Sequence, residues 1–247
     1  MNIKSSRKQL QDTPVSMRSL LGRREIHLAF LIGALLILVP VWINHSQRAE
    51  RIGRAILNGR DATVEKIITD HPKLLNSRDS RNGFTPLHWA VIAGRSNLVC
   101  WLINKGADVN AADPSGMTPL HKAAIFNRAG SAEALIAAGA DYDACGRKYG
   151  ALRLMPIHLA AEEGKTEVIK CLLDRGVDVN AATRGANCIT PLHFAAAKGR
   201  TNVIEYLISA GADINACDLA RKTPLAWAVE SGQIEAAQML RKAGAVP

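Results

Sequence analysis

Apolar residues are distributed in two ways along the chain. From Ile26 to Ile43 they run almost without interruption, IHLAFLIGALLILVPVWI, with no Asp, Glu, Lys or Arg in 18 residues. From Ala55 onward they recur in short bursts at helical spacing, as in Val203-Ile204-Glu205-Tyr206-Leu207-Ile208, between turns rich in Gly, Asp and Asn. The first pattern predicts one helix that is apolar all round. The second predicts many short amphipathic helices in pairs.

At ~1.5 Å per residue the first run spans about 27 Å, close to the hydrocarbon thickness of a bilayer. His27 sits at one edge, and Trp42 sits at the other, where an amphipathic ring is favoured. The run is preceded by 25 residues and followed by NHSQRAER, with no small-residue cleavage site and no nearby Cys. It therefore reads as an uncleaved single-pass anchor. Ala29 and Gly33 form a small-xxx-small pair, a weak cue for a homodimer through this helix in an otherwise monomeric protein. Within 20 residues, Arg7, Lys8, Arg18, Arg23 and Arg24 precede the run, and Arg48, Arg51, Arg54 and Arg60 follow it. That bias leans toward a cytosolic N-terminus, with the rest of the chain in a periplasm or lumen. The cysteines lean the other way, toward a reducing compartment.

The later segment repeats itself. TPLHWA begins at Thr85, TPLHKA at Thr118, MPIHLA at Met155, TPLHFA at Thr190 and TPLAWA at Thr223, with starts 33, 37, 35 and 33 residues apart. A turn position follows each block: Gly94, Asn127, Gly164, Gly199 and Gly232. GADVN, GADYD, GVDVN and GADIN then close four of the blocks. These residues resemble the ankyrin repeat, a unit of about 33 residues with two helices, a β-turn and a T-P-L-H-x-A signature. The segment from Ala55 to Asn76 has the helix–turn–helix pattern without the motif and reads as a degenerate first copy. The resemblance implies an all-α ankyrin-repeat solenoid of helix-turn-helix repeats with β-turn fingers, preceded by one transmembrane helix. The expected organisation is a basic tail (1–25), the membrane helix (26–43), a juxtamembrane linker (44–54) and repeats at about 55–79, 80–112, 113–145, 146–182, 183–217 and 218–247.

The motif has a physical reading. Proline opens the first helix, where its missing N–H is no loss, and the Thr before it can cap that helix. Small Ala residues after the His keep the helix thin. Gly ends it in a left-handed turn. No single repeat buries its own apolar faces, so neighbours must stack. Three departures stand out. Met155 replaces a Thr, Ala226 replaces a His, and the fingers CGRKYGALRL (from Cys145) and TRGANC (from Thr183) are longer than the standard unit. Long fingers project from a scaffold and are where function is expected.

Composition narrows the chemistry. Net charge is +9, but residues 1–50 hold seven of the 31 basic and three of the 22 acidic residues, and the remainder has no basic run with interleaved aromatics. Nucleic acid is not an expected partner on this ground. Cys100, Cys145, Cys171, Cys188 and Cys217 include no CxxC. Cys145 and Cys217 share a repeat position two repeats apart, about 20 Å, beyond the ~7 Å limit for a disulfide. His88, His121, His158 and His193 also recur at one position. Packed helices lie about 10 Å apart and zinc ligands about 2.0–2.3 Å from the ion, so these rings cannot share a metal. They are expected to bond the neighbouring turn backbone instead. His158 and Glu162 sit four apart on one helix without HExxH, a second carboxylate or a nucleophile elbow. No phosphate-binding glycine loop is present. The chain is read as a non-enzyme without metal or cofactor.

Proteins resembling ankyrins bind protein partners with finger tips and the exposed inner-helix face. The two residues before each turn position read Ile92–Ala93, Ile125–Phe126, Glu162–Glu163, Ala197–Lys198 and Glu230–Ser231. The expected partner-binding residues are therefore Ile92, Ile125, Phe126, Glu162, Glu163 and Lys198 on that face, and Arg147, Lys148, Tyr149, Arg153 and Arg184 on the long fingers. The leading reading is a membrane-anchored scaffold for a protein partner. The alternative is a binder of acidic ligands, an anionic lipid surface or nucleic acid, through the basic residues.

Overall fold

The proline of every motif is the first residue of a helix. The structure, a computed structural model, describes residues 47–150, 152–184 and 187–246. The apolar run from Ile26 to Ile43 lies outside the described residues. No helix among the described residues is long and apolar enough to cross a membrane.

Twelve α-helices and one short 3-10 helix (Pro72–Leu74) occur among the described residues: α1 (47–57), α2 (Asp61–Asp70), α3 (Pro86–Ile92), α4 (Ser96–Asn104), α5 (Pro119–Ile125), α6 (Ala129–Ala137), α7 (Pro156–Glu163), α8 (Thr166–Leu173), α9 (Pro191–Ala197), α10 (Thr201–Ser209), α11 (Pro224–Glu230) and α12 (Ile234–Lys242). The Pro-initiated helices α3, α5, α7, α9 and α11 stack in one layer and α4, α6, α8, α10 and α12 in a second. Each helix of the first layer also packs on its successor in sequence. The core lies between the layers. Leu87, Leu120, Ile157 and Leu192 are fully buried from the first, and Leu98, Leu135, Val168, Val203 and Leu240 from the second. Ala90, Ala123, Ala160, Ala195 and Ala228 are fully buried too, and their small side chains let the inner helices approach.

Three sets of hydrogen bonds hold successive repeats in register. In the first, the Nδ1 of His88 accepts from the Thr85 amide (3.2 Å) and lies 2.9 Å from the Thr85 hydroxyl. With Nδ1 accepting, the proton sits on Nε2, which reaches the Met117 carbonyl of the next finger at 3.1 Å. His121 reaches Leu154 O (3.0 Å), His158 reaches Ala181 O (2.8 Å) and His193 reaches Lys222 O (3.1 Å) in the same way. The expectation that these histidines bond the neighbouring backbone is met. In the second set, the side-chain oxygens of Asn76, Asn110, Asn180 and Asn215 accept from the amides of Asp108, Asp141, Asp213 and Val246. Asp143 stands where the next Asn would be and makes no such bond. In the third set, Arg128 donates to Ile92 O (3.0 Å) and Arg200 to Glu162 O (2.9 Å), placing a cation on the C-terminal carbonyls of the preceding inner helix.

Left-handed turns close the inner helices as expected, with φ of 70°, 74°, 63° and 70° at Gly94, Gly164, Gly199 and Gly232. Asn127 adopts φ 55° at the equivalent place. Asn is among the few residues with a side chain that tolerate it.

Two expectations need correction. The linker expected at 44–54 is helical from 47, because Ala49, Ile52, Gly53 and Ile56 recur at i, i+3, i+4, i+7 and are buried against the stack. Gly53 is required there, since a Cβ would meet the Trp89 indole at 2.8 Å. The finger before α7 is not a simple β-turn. It forms an antiparallel hairpin, β1 (Gly146–Tyr149) with β2 (Leu152–Leu154), so the all-α solenoid carries one small two-stranded sheet.

Burial of the histidines sets a pH window. Desolvation, only partly offset by the carbonyl acceptors, lowers His88, His121 and His158 to about 4. In the unfolded chain such rings titrate near 6.5. Below pH 6.5 the unfolded chain therefore takes up protons that the folded chain refuses. The contribution is complete above 6.5 and is lost as pH falls to about 4, at on the order of 3 kcal/mol per ring. Ring-proton NMR of the folded protein is expected to show these three histidines neutral at pH 5.5, with urea midpoints falling steadily between pH 6.5 and 4.5. Titration near 6.5 in the folded state would contradict the assignment.

Candidate functional site: the inner face and the long finger

The inner face is set by the helix ends. Residues just before each left-handed turn differ in exposure from repeat to repeat. Phe126 is 44% exposed at the end of α5. Ile92 and Ile125 are half-buried, and Ile125 packs on the core. Lys198 and Glu230 are exposed, and Glu230 pairs at 2.7 Å with half-buried Lys222.

Glu162 departs from expectation. It was read as part of an exposed acidic face, and it is only 3% exposed. The reason is the hairpin, which folds over the inner face and does not project freely. Lys148 on β1 reaches Glu162 Oε2 at 3.0 Å and Glu163 Oε1 at 2.8 Å, and Lys198 approaches Glu162 Oε1 at 3.6 Å from the next repeat. Burial opposes the charge on Lys148, but the carboxylates of Glu163 and Glu162 outweigh it and hold the ammonium above its ordinary range. Burial likewise opposes the Glu163 carboxylate, and Lys148 outweighs that, keeping its pKa low. Four of the expected binding residues thus join in one ion-pair cluster between finger and helix.

The arginines of the fingers behave differently. Arg147, Arg153 and Arg184 are all exposed. Arg147 pairs with Arg153 in the hairpin, and Arg153 forms a β-bridge with Arg184 in the next finger. The Arg147 amide donates to Ser115 O (2.8 Å) in the finger before. The backbone of Tyr149 lies in β1.

A second pattern escaped the sequence reading. Asp79 accepts from the amides of Arg81, Asn82 and Phe84 and from the Trp89 indole at 2.9 Å. Asp113 caps its finger in the same way and pairs with Lys122 at 2.8 Å, nearly out of solvent. Asp218 takes the Lys222 amide and the Trp227 indole. Each finger Asp therefore meets a donor four residues after the motif Thr or its equivalent. Where the finger has Thr183 or Gly146, that position is apolar, Phe194 or Leu159. The signal was present as the co-occurrence of a finger Asp with Trp or Lys at the position after His or Ala226.

The stacked helix pairs with turn fingers define a helical repeat solenoid. A family profile described as "Ankyrin repeats (3 copies)" matches residues 52–144 and 153–247. The chain belongs to the ankyrin-repeat family, whose repeats generally mediate protein–protein interaction. Among curated proteins it is similar to the palmitoyltransferase AKR1 of Saccharomyces cerevisiae, 42% identical over an alignment of 78 residues that covers 28% of this chain. The match covers only 10% of that yeast protein, so the activity in its name is a property of that protein. Among the described residues no group of three or more His, Cys, Asp or Glu side chains could hold a metal ion, and all five cysteines are free.

The cluster predicts an asymmetry. Lys148→Ala withdraws two ion-pair contacts around a buried carboxylate and is expected to cost about 2 kcal/mol. Lys198→Ala, at an exposed and longer contact, is expected to cost less than about 0.5 kcal/mol. Urea denaturation compares them, and equal losses would show that the hairpin is not held by Glu162.

Proposed function

We propose that this protein is a membrane-anchored scaffold that binds another protein through its inner face and fingers, with the repeats on the extracytoplasmic side. The observation that carries the binding reading is Phe126, an aromatic ring left 44% exposed on the inner face beside half-buried Ile125. Exposed aromatics at such a place serve as anchors in protein interfaces. The family supports a protein as the partner. The anchor rests on the uncharged run from Ile26 to Ile43, and the orientation on the excess of Lys and Arg before it.

The test uses the full chain in its own membranes. A photo-crosslinking phenylalanine analogue is placed at Phe126 and, as a control on the second layer, at Glu205. A discrete crosslinked product from position 126 and none from 205 is the expected result, with the repeats cleaved by protease added outside intact spheroplasts. Identical products from both positions would contradict the docking reading, and protease protection until lysis would reverse the topology. Phe126→Asp is the companion variant, expected to cost about 0.5 kcal/mol or less in stability. Ile125 is left intact because it packs on the core.

A further inference from the structure

The long finger places three like charges in a row. Arg147 lies directly opposite Arg153, and Arg153 directly opposite Arg184, across adjacent extended segments. Cross-strand pairing puts the three on one side, and alternation around Arg153 and Arg184 fixes which side, since the ladder is irregular between Arg147 and Tyr149. Lys148, next to Arg147, turns to Glu162 and Glu163 on the helix side. Leu154, next to Arg153, is fully buried, and Thr183, next to Arg184, is buried. The three arginines therefore share the opposite, solvent face, about 5 Å from neighbour to neighbour.

None of the three is within ion-pair distance of a carboxylate among the described residues, in contrast to Lys122, Lys148, Lys198 and Lys222. Like charges directly opposite each other on a sheet destabilise it. An anion lying along the row reverses that sign, because guanidinium groups receive carboxylates in bidentate fashion. The flanks limit the size of the anion. Asp141 and Asp143 are exposed on the turn that leads into β1, and Asp178 is exposed on the turn before the finger of Arg184. The charges of Arg184 and Arg153 and those of Asp141 and Asp143 all reach the Cys145 thiol, with opposite effects on it. A nucleic acid or a bilayer surface would press its further negative charges against those carboxylates. A short acidic peptide segment would not.

We infer that the Arg147–Arg153–Arg184 ladder is the docking site for a short acidic segment of a protein partner. This rests on the reading that the fingers take part in protein binding, and it names the chemistry of the bound segment.

The probe is a fluorescent peptide containing four consecutive Glu, with a Gln version as reference, titrated into the full chain in non-ionic detergent. Arg147→Gln, Arg153→Gln and Arg184→Gln together are expected to weaken binding at least tenfold. Lys66→Gln, Lys170→Gln and Arg175→Gln together remove the same charge from exposed positions on the second layer and first repeat and are expected to change it less than threefold. The Gln peptide is expected to bind no better to wild type than the Glu peptide binds to the ladder variant. Equal losses in the two triple variants, or equal binding of the two peptides, would overturn the proposal. So would tighter, ladder-dependent binding of single-stranded DNA or phosphatidylserine vesicles. If the ladder triple melts early, Arg153→Gln alone is used, with a threefold loss expected and no loss overturning the idea. Crosslinking at position 126 is read in parallel. Its survival while peptide binding shows no ladder dependence would remove the ladder alone, and its absence would remove the docking reading itself.

Discussion

The structure depends on a ring with two different ends. Each motif histidine uses Nδ1 to hold its own helix cap and Nε2 to hold the carbonyl of the following finger. The Thr–Pro start and the buried Leu would build a helix without it, and the motif Ala lets that helix stack on the next, but the ring is what hydrogen-bonds it to the following finger. The position occupied by Ala226 makes the point from the other direction. With no ring at that position, Thr223 still accepts from the Ala226 amide (3.3 Å), so the helix start is capped without a histidine. Each bond contributes about 1 kcal/mol, and the cost of leaving a buried partner unpaired is larger.

The asparagine bonds form a parallel ladder that breaks at Asp143, just before the longest finger. At the same place the hairpin supplies its own connections, to Ser115 behind, to Arg184 ahead and through Lys148 to Glu162 and Glu163. The lengthened finger is thus bound into the scaffold, which explains why residues read separately as face and finger came together. It also divides the labour on β1, where Lys148 fastens the strand and Arg147 on the opposite side is left for other charges.

Much of this was legible in the residues because the repeat enforces it. Proline starts, left-handed Gly and Asn127, and the bonding of the histidines all follow from local chemistry at fixed spacing. The first helix was missed because its charged surface masked a helical period at Ala49, Ile52, Gly53 and Ile56 that needs no motif. Glu162 was misplaced because burial at that position is decided by a finger whose fold departs from the repeat, and spacing carries no information about such a departure. The pairing of Asp79, Asp113 and Asp218 with Trp89, Lys122 and Trp227 was readable only by comparing two variable positions within each repeat. The arginine row needed the strand register, which no sequence pattern supplied.

The account turns on the histidine being needed where its Nε2 meets the carbonyl of a following finger. Urea denaturation of His121→Ala and Ala226→His tests this directly. His121→Ala leaves the Leu154 carbonyl without its donor and opens a cavity, so it is expected to lose about 3 kcal/mol. Ala226→His installs the same ring where no following finger carbonyl lies among the described residues, and the stability is expected to move by less than about 0.5 kcal/mol. A gain at residue 226 comparable to the loss at residue 121, or a loss at 121 below about 0.5 kcal/mol, would contradict the claim that this ring holds one repeat to the next.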